Sequence, residues 1–199
     1  MDIVSRVKGI LLKPKETWLE IKNEPTETKE LFTSYAAVLA AIPAVASFIG
    51  FSLIGMSILG FHYRMPFISG IGHLIVSYVF SLLGLYVVGL IIDALAPSFG
   101  SRKNPVQAMK VAVYSWTPAW LAGILLLIPS LAPLSMLISL YSLYLFYLGL
   151  PVLMETPQDK VIGYVMVTIL VSIIVSIVIG SLSSALFGFG RGGMMGWRF

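Results

Sequence analysis

Four long stretches of this chain, residues 31 to 63, 65 to 92, 111 to 154 and 161 to 190, contain no Asp, Glu, Lys or Arg. A water-soluble domain spaces its charges far more densely, whereas a spanning helix needs about 20 mainly apolar residues in succession. Of the 22 charged residues, 13 basic and 9 acidic, twelve fall before residue 31. The pattern excludes a soluble enzyme and calls for an integral membrane protein with a short polar head. At 1.5 Å per residue the third stretch would make a helix about twice as long as the ~30 Å hydrocarbon core is thick, so it must fold back on itself. The turn falls at Ile128-Pro129-Ser130-Leu131-Ala132-Pro133, where two prolines remove backbone donors and bias their predecessors away from helix. The fold expected is all-α, a five-helix transmembrane bundle preceded by short N-terminal amphipathic interfacial helices. Its spans lie near 33–56, 70–95, 106–128, 133–153 and 161–186. The division is a head over 1–30, a five-span domain over 31–186 and a flexible Gly-rich tail over 187–199.

Five spans put the termini on opposite sides. Alternate sides then carry ten and three basic residues, the larger group comprising the head, Arg102, Lys103, Lys110 and Lys160, and the smaller Arg64, Arg191 and Arg198. The positive-inside rule places the N-terminus in the cytoplasm and the C-terminus outside. Ile10-Leu11-Leu12 is cut short by Lys13-Pro14, so no signal-peptide core is present and the first span directs insertion. The absence of cysteine excludes disulfides, thiolate metal sites and thioester or thioether lipid anchors. The dispersed basic residues speak for membrane topology and against nucleic-acid binding.

In the head, Ile3, Val4, Val7, Ile10 and Leu11 recur on one helical face, as for a helix lying on the membrane. Pro14 suits the first position of a second helix bearing Trp18, Leu19 and Ile21. Such a head anchors and orients the first span, or else forms a docking surface for a partner.

The run Arg6-Val7-Lys8-Gly9-Ile10-Leu11-Leu12-Lys13-Pro14-Lys15-Glu16-Thr17-Trp18, with Ile21, Glu24 and Pro25, resembles the start of prokaryotic Yip-domain membrane proteins. The stretch Ala112-Val113-Tyr114-Ser115-Trp116-Thr117-Pro118 resembles that family's third span, and Leu140-Tyr141-Ser142-Leu143-Tyr144-Leu145 through Pro151 its fourth. The resemblance implies five spans, a cytoplasmic N-terminus and the inner or plasma membrane of a prokaryotic cell. Eukaryotic members bind Rab-type GTPases in vesicle traffic, but their Asp-Leu-Tyr-Gly-Pro signature does not precede the first span here.

Several constellations are candidates for function. Asp93 and Lys110 are equidistant from the centre of the connection between the second and third spans, which predicts similar depth and a structural ion pair at the interface; a relay or transport role is the sharper alternative. Pro118 cannot donate to the carbonyl of Tyr114, close to the hydroxyls of Ser115 and Thr117. This break predicts a kink, and the alternative is a transporter-type discontinuous helix. Ser172, Ser176, Gly180 and Ser184 form a small-residue row on the fifth span, matched by Ala36, Ala40 and Ala44 on the first. Such rows pack helices closely, within the bundle or in a homodimer. Tyr141, Tyr144 and Tyr147 line one side of the fourth span, and hydroxyls buried there need acceptors on other helices. His62 and His73 lack a third metal ligand, and no nucleophile elbow or phosphate loop occurs. No catalytic residue, metal or cofactor is expected. The partners expected are the lipid bilayer and a membrane or cytoplasmic protein. The function expected is that of a non-enzymatic membrane organiser or adaptor, with a small transporter or channel for an ion, lipid or solute as the alternative.

Overall fold

The computed structural model describes residues 2–58 and 61–187, with only the course of the backbone for 57, 58, 61–63, 176 and 178–187. Two short helices open the chain, α1 (Ile3–Leu12) and α2 (Pro14–Asn23). Five helical segments long and apolar enough to cross a membrane follow: Thr28–Ile54, Phe67–Phe99, Pro105–Leu127, Pro129–Leu153 and a fifth from Gln158, described as a span to Val175 and as helix to Phe187. The expected number and positions of the spans are therefore found.

The ends of these segments follow from local chemistry. Asp2 caps α1 by accepting from the amides of Val4 and Ser5, and Asn104 caps the third span by accepting from Gln107 N with Pro105 behind it. Pro129–Leu131 forms the single 3₁₀ turn that reverses the chain, as the two prolines require. The first span contains π-helical turns at Phe32–Ala36 and Ile49–Ile54 and stops at Gly55, whose φ of 83° is accessible to glycine at little cost. Arg64 Nε and the Met65 amide then donate to the carbonyls of Ser52 and Phe51, satisfying the helix end. Between them lies an element not anticipated from the sequence, an antiparallel pair β1 (Met56–Ile58) and β2 (Phe61–Tyr63) in the register Met56 opposite Tyr63. It absorbs the surplus length of the first uncharged stretch, which exceeds one crossing.

The third span is the axis of the bundle: every residue from Ala108 to Ser115 is buried. The second and fifth spans lie outside and turn regular rows of large apolar side chains outward, Ile75, Val79, Leu83, Tyr86 and Leu90 on one and Ile162, Met166, Leu170, Ile173 and Ile177 on the other. Such rows suit lipid contact, since lipid is as apolar as they are. Helices approach closely at glycines. A Cβ on Gly50 would lie 2.0 Å from the carbonyl oxygen of Leu126, and one on Gly123 2.4 Å from Cβ of Pro43. Ala36, Ala40 and Ala44 are buried on the first span as their spacing predicts. Ser176, Gly180 and Ser184 lie outside the described side chains, as does His62, and the Gly-rich tail from residue 188 lies outside the described residues altogether.

Candidate functional site

The head does not simply lie flat. Ile10, Trp18 and Ile21 are wholly buried in the same apolar core as the third and fourth spans, so α1 and α2 form a hairpin docked against the bundle. Trp18 enters the notch left by Gly149, where a Cβ would meet the indole at 2.8 Å. The indole also stands edge-on to Tyr114, with ring centroids 6.3 Å apart, and Tyr114 meets Tyr35 of the first span at 4.9 Å. The guanidinium of Arg6 lies 5.8 Å from the centroid of the Tyr114 ring, a cation–π distance, while it pairs with Glu24 and reaches Glu20 at 3.6 Å. Tyr114 is thus the point at which the head, the first span and the third span meet.

Polar bonds fix the register of this hairpin. Lys110, 2% exposed, donates from Nζ to the carbonyls of Ile21 at 2.8 Å and Glu24 at 2.6 Å. These carbonyls belong to the C-terminal end of α2, the negative end of its dipole, where an ammonium is favourably placed. Gln107 Nε2 donates to Lys22 O and Tyr141 Oη to Leu11 O, and Lys22 pairs with Glu155 at 3.1 Å. The expected Asp93–Lys110 pair is not made. Equal distance from the loop fixes depth but not rotation about the helix axis, and Lys110 turns to the head instead. Asp93 is buried, with Lys103 Nζ 3.9 Å from Oδ2.

Pro118 does interrupt the third span. One helical segment ends at Ser115, Trp116 donates to Val113 O in a tighter turn, and Thr117–Ala122 resumes the helix. The break is occupied: the Tyr35 and Thr117 hydroxyls lie 2.9 Å apart in a buried hydrogen bond. Ser115 faces elsewhere, into a cavity of about 430 Å³ among the second, third, fourth and fifth spans. Ser172, expected to be a close-packed contact, lines that same cavity. Of the three tyrosines on the fourth span, Tyr141 has the internal acceptor expected for a buried hydroxyl, whereas Tyr144 and Tyr147 are exposed. Among the described residues no group of three His, Cys, Asp or Glu is placed to hold a metal.

Arg6, Glu24, Gln107 and Tyr35 carry the junction; the sequence marked Arg6 and Glu24 only as part of the family resemblance, and Gln107 and Tyr35 not at all. The signal available was the burial cost of Lys110, which demands acceptors, and the head is one of the polar stretches that can supply them.

The family model described as the Yip1 domain matches residues 8–199. The chain belongs to the Yip1-domain family. It is 26% identical over 191 residues to an inner membrane protein, YohC, of Escherichia coli, covering 94% of this chain and 98% of that one, and the same match recurs in a second strain. No solved structure matches. The matched region takes in the second half of α1, all of α2 and the five spans.

Proposed function

We propose that this Yip1-domain protein is a non-enzymatic organiser or adaptor of the prokaryotic inner membrane, with its N-terminal head in the cytoplasm and its C-terminus outside. The inner-membrane relative and the bias of basic residues towards the head side support this placement. The observation that carries the function is the docked hairpin. A mere anchor needs only an apolar face, but this head is held by buried bonds from Lys110, Gln107 and Tyr141, and it presents Lys8, Lys15, Glu16 and Glu20 outward. Fixing a charged surface in one pose lowers the ordering cost of binding a protein partner.

Photocrosslinking residues introduced at Lys8, Lys15 and Glu20 in the native membrane test the reading. A discrete protein partner captured from these positions, and lost when Lys110→Met releases the head, is the result expected. Absence of any adduct, together with solute flux through liposomes that Asp93→Asn abolishes, would overturn it in favour of transport.

A further inference from the structure

The cavity beside the broken third span is independent of the head. Its 430 Å³ falls within the ~300–1,000 Å³ typical of small-molecule sites. Most of its wall is apolar, including Val88, Phe146, Ile169 and Ile173, but Ser115, Ser142 and Thr168 also line it. These three are 3%, 7% and 2% exposed, and their hydroxyl oxygens are buried without a hydrogen-bond partner among the described residues. A serine in a membrane helix commonly returns its proton to a carbonyl one turn earlier. Ser47, Ser77, Ser81 and Ser139 do so here. The cavity hydroxyls do not, and an unmade buried bond carries the full desolvation penalty of the group.

The position of the site limits what can answer these hydroxyls. Trp116, Leu143, Ile173 and Ile177 line the cavity and are also exposed on the outside of the bundle, so it opens sideways, to lipid. Ser115 and Ser142 lie near the middle of the third and fourth spans, roughly 15–20 Å from either end at 1.5 Å per residue. Charged headgroups belong at the ends of spans. Among the described residues no charged side chain lines the cavity to hold an ion. What fits is an apolar body that carries its own neutral oxygen to that depth.

We propose that this cavity binds a neutral membrane lipid whose polar end is an uncharged oxygen, a quinone-type carbonyl or an alcohol, held by Ser115, Ser142 and Thr168 with its apolar body against Phe146 and Trp116. The test uses the full chain in detergent, titrated separately with a decyl-substituted benzoquinone, with farnesol and with phosphatidylglycerol, and read by native mass spectrometry. Saturable one-to-one binding of a neutral probe is expected, the quinone and alcohol arms telling which oxygen is taken. The combined variant Ser115→Ala, Ser142→Ala, Thr168→Val should weaken that binding at least tenfold. It should also melt no lower than the parent, because it removes unanswered hydroxyls from an apolar wall. Binding of neither neutral probe, binding unchanged in the variant, a lower melting temperature, or displacement of the neutral probe by phosphatidylglycerol would each overturn the proposal, the last by showing that a bulk acyl chain fills the cavity.

Discussion

Replacing Lys110 by methionine keeps an unbranched stem of similar reach and removes only the ammonium. In the parent that ammonium donates to two carbonyls at the end of α2. Hydrogen bonds that involve a charged group are worth about 1.5–3 kcal/mol each, so losing both costs about 3–6 kcal/mol of docking. Burial of Ile10, Trp18 and Ile21 compensates poorly, because a released head lays the same apolar face into the membrane interface, where little of the hydrophobic gain is lost. The polar bonds therefore decide whether the head stays docked. At the lower figure the open fraction rises by about 100-fold, since each 1.36 kcal/mol is a factor of ten. The chain has no cysteine, which makes the assay simple. Ile21, wholly buried in the core that the head shares with the third and fourth spans, is changed to Cys, and its labelling by a small maleimide is timed in both backgrounds. If docking is a fast pre-equilibrium, Lys110→Met should accelerate labelling by about 100-fold. A change of less than threefold would refute the assignment of Lys110 as the clamp.

Three further outcomes follow from particular contacts. Asp93→Asn and Lys110→Met should be additive in a double-mutant cycle of melting, within about 0.5 kcal/mol, because the two residues have separate partners; recovery in the double mutant would restore the pair. Gly149→Val should expel Trp18 from its notch, costing about 1–3 kcal/mol as overpacking does, and intrinsic fluorescence should shift to the red. Gly50→Ala meets the Leu126 carbonyl and should lower the melting temperature, whereas Gly84→Ala, which has nothing within 4 Å, should be neutral or stabilise by up to about 1 kcal/mol through helix propensity; equal effects of the two would remove the close approach of the first and third spans.

The spans were legible because the bilayer imposes a one-dimensional rule: charge is absent where lipid is, and Pro129 and Pro133 had to break a run too long for one crossing. Pairing between helices obeys no such rule. Depth could be counted for Asp93 and Lys110, but facing depends on rotation, and Lys110 found carbonyls of the head rather than a carboxylate. The head's apolar face at Ile3, Val7, Ile10 and Leu11 was visible as periodicity. What it covers was not, since a helix stripe reads alike against lipid and against protein. Gly149 illustrates the same gap, as its role exists only once Trp18 is opposite it. Ser172 belongs to the small-residue row and also lines the cavity, because small side chains permit close approach and equally leave room beside them. Ser142 and Thr168 are isolated hydroxyls in apolar runs near the height of Ser115, a signal present in the sequence that needed the bundle to bring the three together.

The docked head is the central claim, and a crosslink across its outer edge tests it most directly. Lys22 and Glu155 are 133 residues apart in sequence and form an ion pair at 3.1 Å. With Lys22→Cys and Glu155→Cys in the otherwise cysteine-free chain, a short bifunctional maleimide applied to intact membranes should join the two positions within one molecule. Free labelling of both cysteines without that intramolecular link would show the head to be detached from the bundle.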